Sequence, residues 1–177
     1  MYSRRSGLIL GFHGCDEELV YAVVNKKKSL KTSENEYDWL GHGVYFWENS
    51  PSRALEYATF LKDNPQRARN PIKKPAVIGA IIQLGFCFDL VDFKMLQLLK
   101  SSYHVFEKAW ENEGKKLPTN KEVGHNGDLL LRELDCAVFE TIRHIRVQSK
   151  LQPFDSVRGV FWERDPLYPK AGFKEKN

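Results

Sequence analysis

Cysteine is scarce in this chain, with only Cys15, Cys87 and Cys136 among 177 residues. They are odd in number, widely separated and set in apolar or strand-like surroundings, so they spell neither a disulfide framework nor a zinc-ligand spacing. A reducing, cytoplasmic setting is the expectation, with no metal. Long apolar runs are missing too, and without one no membrane-spanning helix and no membrane partner is expected. The start Met1-Tyr2-Ser3-Arg4-Arg5 is basic, but Gly7 to Gly11 is too short for a signal-peptide core and no small-residue cleavage pattern follows. Neither sign of charge dominates. The 27 Lys and Arg against 23 Asp and Glu leave +4, which permits a polyanionic partner but is a weak bias for a duplex-DNA binder. Also absent are a phosphate-loop pattern, a Gly-x-Ser-x-Gly elbow, an internal repeat and any low-complexity tract.

At 42% hydrophobic residues, the chain has enough apolar material for one sizeable core, and a single domain over 1–177 is expected. Leu8 to Gly14 reads as a buried strand that presents His13 at its end. Asp16 to Val24 reads as a short helix with Asp16 as N-cap. Asn25 to Gly41, with Lys26-Lys27-Lys28, has no period and reads as a long surface loop. Gly43 to Trp47 is a second strand, rich in aromatic and β-branched residues. Asn49-Ser50-Pro51 then starts a helix with Ala54, Leu55, Ala58 and Leu61 inward. Gln66 to Lys74 is a basic loop, Ala76 to Leu84 a strand, and Phe86 to Leu90 continues or closes it. Phe93 to Glu113 and Leu129 to Gln148 have the spacing of amphipathic helices, joined by a polar connection. Val157 to Glu163 is a last strand before a loop-like tail. The order gives a mixed α+β domain rather than a doubly wound parallel sheet.

Two glycine-flanked strand ends draw attention, Phe12-His13-Gly14 and Gly41-His42-Gly43-Val44-Tyr45-Phe46. Glycine beside a polar or aromatic residue at a strand end lets a flat ligand come close to the backbone. By itself, a histidine there is more often structural, and a strand tyrosine more often a cross-strand packing residue. Cys15, two residues from His13, has no supporting geometry as a nucleophile.

Taken together, His13-Gly14, Gly43-Val44-Tyr45-Phe46 and the helix bearing Tyr57 resemble the ADP-ribosyltransferase superfamily. The likeness is to its His-Tyr-Glu branch, which includes diphtheria toxin and the poly(ADP-ribose) polymerases. The resemblance implies a split β-sheet core with flanking helices and NAD as co-substrate. In it His13 bonds a ribose hydroxyl, Gly14 pairs with the carboxamide through its backbone, Gly43 opens the tyrosine strand, and Tyr45 and Tyr57 enclose the nicotinamide ring. The family's third residue is a late-strand carboxylate, and Glu163 is the candidate. The further strand on which the family carries that residue would begin about where the sequence stops. The serine that many members place three residues before the second tyrosine is Ala54 here.

The stretch Ser33 to Glu48, with Phe154 to Gly159, is also similar to stand-alone bacterial transferases. Some of these resemble RNA-modifying toxins of anti-phage toxin–antitoxin–chaperone systems. That likeness implies an RNA or protein acceptor, RNA slightly ahead, and an antitoxin protein as partner. The basic segments Lys26 to Lys28 and Arg67 to Lys74, with Tyr37 and Trp39 for stacking on unpaired bases, suit single-stranded RNA. Asn35, Tyr37, Trp39 and Arg158 are the candidate acceptor contacts. Two alternatives stay open: a module that binds NAD or ADP-ribose without turnover, and an NAD-dependent RNA 2′-phosphotransferase, which needs an arginine cluster around its phosphate.

Overall fold

Residues Leu8–Asp16 alternate across a pleat for nine positions and form strand β1 of the computed structural model. The structure describes residues 7–123, 128–169 and 174–176, without the side chains of 163, 164 and 174–176. The basic start 1–5 and His125 lie outside these. The described chain is mixed α+β, with four α-helices and four small sheets. The described residues divide into two compact units, an N-terminal one of 7–33 and 44–84 and a C-terminal one of 34–43 and 85 onward. Among the described residues no helix is long and apolar enough to cross a membrane.

In the N-terminal unit β1 is the central strand of three. β3 (Pro75–Gln83) pairs with it antiparallel without a break, from Leu8 opposite Gln83 to Asp16 opposite Pro75. On its other side β2 is only Trp47–Glu48, paired at Phe12 opposite Trp47 and Gly11 opposite Glu48. The strand expected over Gly43 to Trp47 is therefore laddered only at its end. One reason is local: the Tyr45 carbonyl accepts a bond from the His13 side chain.

Helix α1 (Glu17–Val24) begins where the sequence places it. The Asp16 carboxylate caps it by accepting from Glu18 N at 2.9 Å, and also accepts from Lys73 N at 2.7 Å and Lys74 N at 3.0 Å. One side chain thus ties the helix start to the approach of β3. Helix α2 (Pro51–Asp63) starts with its proline in the first turn, where the missing N–H costs nothing. Ala54 and Ala58 are fully buried, whereas Leu55, expected inward, is 44% exposed. The small face meets the strands, and the leucine lies to its side.

The C-terminal unit is built on Phe88, Phe106, Val138, Phe139 and Ile142. β4 (Cys87–Asp89) pairs in parallel with β7 (Ser156–Arg158), so Phe86 to Leu90 does not continue the preceding strand. Phe88 meets Phe139 and Phe154 edge-on, with centroids 5.7 and 4.9 Å apart. α3 (Phe93–Asn112) and α4 (Glu133–Gln148) pack on this core. The helix expected from Leu129 starts four residues later, because β6 (Leu129–Arg132) pairs with β5 (Asn120–Glu122). The last strand, expected to run unbroken to Glu163, is two: β7, and β8 (Glu163–Pro166), which pairs with β9 (Lys174–Lys176) in the tail.

The amide of Lys74, with those of Glu18 and Lys73, holds the Asp16 carboxyl below the ordinary carboxylate range despite some desolvation. A lowered folded-state value contributes stability that is complete above the unfolded value of about 4 and is lost as pH falls through the folded value. We therefore expect Asp16→Asn to lose about 1–2 kcal/mol at neutral pH in urea denaturation. The gap to the parent should narrow as the pH drops below about 4.

Candidate functional site

His13 lies on β1 opposite Ile78 of β3. Its half-buried ring donates from Nδ1 to the Tyr45 carbonyl oxygen, at 2.8 Å across 32 positions of sequence. A carbonyl can only accept, so Nδ1 carries a proton, and in the tautomer that fits this bond Nε2 is the acceptor. Among the described residues Nε2 has no hydrogen-bond partner. The ring is steadied by Phe46, whose centroid lies 5.8 Å away at a tilt of 58°. The arrangement fixes the orientation of one imidazole and directs its second ring nitrogen away from the Tyr45 carbonyl.

Gly14, the next residue, faces α2. A Cβ there would run into the Ala54 carbonyl and press on the Ala58 methyl, so only glycine lets strand and helix backbones touch. The same contact accounts for a small residue at 54: Ala54 is fully buried against this glycine.

Tyr57 is 43% exposed on α2. It meets Trp47 edge-on at 6.4 Å and Phe60 at 6.5 Å. The Arg53 guanidinium lies 4.6 Å from the Trp47 ring centroid and pairs with Glu56. Trp47, Arg53 and Phe60 had not been singled out from sequence. The signal was there: 53, 57 and 60 follow helical spacing on one face, and 45 and 47 follow strand alternation.

Tyr45, Gly14, His13 and Tyr57 thus share the N-terminal unit. Gly43, Asn35, Tyr37, Trp39, Arg158 and Glu163 belong to the other. There a Cβ on Gly43 would meet nothing, so no steric need for glycine exists at that position. The need falls on Gly41, which has φ +79° and whose Cβ would touch Phe139 and the Glu140 carboxylate.

Asn35 closes a turn with Asp38, donating to its carboxylate from backbone N at 3.0 Å and from Nδ2 at 3.3 Å. Trp39 donates from Nε1 to Leu130 O at 3.0 Å, stacks on Phe161 at 4.4 Å and lies under the Arg132 guanidinium at 3.6 Å. Its ring is thus engaged inside its own unit rather than offered to a base. Tyr37 is 40% exposed. Arg158 pairs with Asp89 at 3.5 Å. Glu163 opens β8, and its side chain lies outside the described residues.

The three cysteines are buried thiols. Desolvation, then the Asp16 charge, pushes Cys15 up, and desolvation with Asp38 pushes Cys136 up to about 11. Raised values leave little thiolate at neutral pH, which argues against Cys15 as a nucleophile. Among the described residues no group of three or more His, Cys, Asp or Glu is placed to hold a metal ion. No protein-family model, no curated protein and no solved structure matches the chain.

Gly14→Ala should be among the more damaging single-methyl changes in the N-terminal unit, because the atom it meets is backbone. We expect a loss of about 1–3 kcal/mol in thermal or urea unfolding. Gly43→Ala, which meets open space, should change stability by less than about 0.5 kcal/mol.

Proposed function

We propose that the chain is an NAD-dependent ADP-ribosyltransferase acting on a macromolecule, RNA ahead of protein, with the split-sheet architecture of the family it resembles. The observation that carries this reading is the bond from His13 Nδ1 to the Tyr45 carbonyl. It joins the two residues the family motif requires and leaves Nε2 free to accept from a ribose hydroxyl. The exposed ring of Tyr57 in the same unit fits stacking on a flat carboxamide-bearing ring, whereas Gly14 is buried inside β1 against α2, so the carboxamide contact that the resemblance gives it has no support from its surroundings.

In the transfer, the bond between the anomeric carbon and the nicotinamide nitrogen breaks, and the electron pair leaves with the now neutral nicotinamide. The oxocarbenium-like ribose is captured by an oxygen or nitrogen of the acceptor, which gives up its proton. A fixed imidazole tautomer contributes by orienting the ribose before that bond breaks, and preorganised polar groups lower the cost of developing charge. Glu163 is the proposed carboxylate for that charge. The basic segments Lys26 to Lys28 and Arg67 to Lys74 share the unit of His13, which favours a polyanionic acceptor. Lys74 is itself paired with Glu17 at 2.7 Å, so the unneutralised charge rests more on the other lysines and arginines. By its likeness to anti-phage toxins, the protein would be held inactive by an antitoxin partner.

Incubating the full chain with labelled NAD, total RNA and total protein tests the reading. Label in RNA with release of nicotinamide is expected. His13→Ala and Tyr45→Ala should each lower the rate by at least about 100-fold, with the far-UV circular dichroism unchanged. NAD binding without nicotinamide release would instead mark a binding module, and NAD-dependent loss of phosphate from a 2′-phosphorylated RNA would mark a phosphotransferase. Full activity in both variants would sink the assignment.

A further inference from the structure

β3 presents one edge to β1, and among the described residues no strand pairs with its other edge. Soluble proteins usually blunt a long open edge with lysine, an internal proline, a bulge or brevity. β3 shows none of these devices. Its nine residues, Pro75-Ala76-Val77-Ile78-Gly79-Ala80-Ile81-Ile82-Gln83, carry no charge, the proline stands at the first position, and the register to β1 runs without a bulge. Ile81 lies opposite Leu10, and Leu8 lies two residues along the same face. These side chains are 70%, 50% and 69% exposed, a contiguous apolar patch beside the open edge.

We propose that this edge pairs with the same edge of a second copy of the chain, β3 against β3, antiparallel and centred on Gly79. The strand is self-complementary in that register and in no neighbouring one of the same facing. Ala76 falls opposite Ile82 and Ile78 opposite Ala80, so each alanine faces an isoleucine. Val77 falls opposite Ile81, a β-branched pair of the kind that stabilises sheets. Gly79 faces its own copy, which leaves room at the two-fold axis, and no charged residue is brought opposite another. Moving the centre to Val77 would set Lys73 against Ile81 and Lys74 against Ala80, and moving it to Ile81 would discard the N-terminal pairs. The pairing is isologous, closes as a dimer, joins the three-stranded sheets into one of six strands and merges the two apolar patches. It stands apart from the NAD reading.

Sedimentation or light scattering of the full chain across micromolar concentrations, with Ile81→Lys beside it, tests the proposal. The parent should be dimeric. The substitution should weaken association by at least about 100-fold, since two isoleucines leave the interface at once. Because Ile81 is exposed, the variant's circular dichroism should match the parent's. Hydrogen exchange gives a second readout: alternate β3 amides, those turned away from β1, should be protected at high concentration and lose protection on dilution. A parent that stays monomeric up to about 100 µM, a dimer untouched by Ile81→Lys, or fast exchange of those amides at every concentration would overturn it.

Discussion

At Gly14 the backbone of β1 touches the backbone of α2, and the local order of the N-terminal unit depends on that approach. A side chain of any size would lift the helix off the strand. With the helix seated, Ala54 and Ala58 are sealed, Arg53 and Tyr57 stand beside Trp47 of β2, and Phe60 lies against Tyr57. The neighbouring His13 then takes the Tyr45 carbonyl that a continuing ladder would otherwise use. A fixed imidazole and a shortened strand are thus two results of one substitution of side-chain for backbone hydrogen bonding.

What sequence reveals here follows the strength of the local signal. Asp16 as a cap, Pro51 at a helix start, the β-branched run of β3 and the three-to-four spacing of α3 are each dictated by residues close in the chain, and each lies where it was read, as does α4 from Glu133 onward. Leu129–Arg132 was misread for a physical reason. Leu129, Leu130, Leu131 and Leu134 satisfy helical spacing, but pairing with the polar Asn120–Glu122 strand makes Leu129–Arg132 extended, and the three residues of that partner carry no period of their own. The parallel partnership of β4 and β7 spans nearly seventy positions (about the separation of Cys87 from Ser156) and leaves no trace in either strand.

The candidate site divides in the same way. The motif order set His13 beside Tyr45, which a hydrogen bond joins, whereas Gly14 was read at a strand end and lies inside β1, buried against α2. The close partner of Tyr57 is Trp47, which a motif of tyrosines passes over. Trp39 shows the opposite limit: an aromatic in a polar loop reads as a ligand platform, yet here its ring lies between Phe161 and Arg132, which the chain supplies from far downstream. Glycine followed the same logic, with Gly41 rather than Gly43 being the position where the backbone demands it.

The segment 34–43 has a further consequence for biosynthesis. Its anchors are Leu130 for Trp39, Cys136 for Asn35 and Glu140 for the His42 amide, at separations of 91, 101 and 98 residues. A ribosome delivers β1, α1, α2 and β3 well before any of these, so the first unit can close around a strip of chain that still has nowhere to dock. Nascent chains stalled after β3 has left the ribosome and before α4 has would carry that strip bare, and protease sensitivity there should vanish only once α4 has emerged.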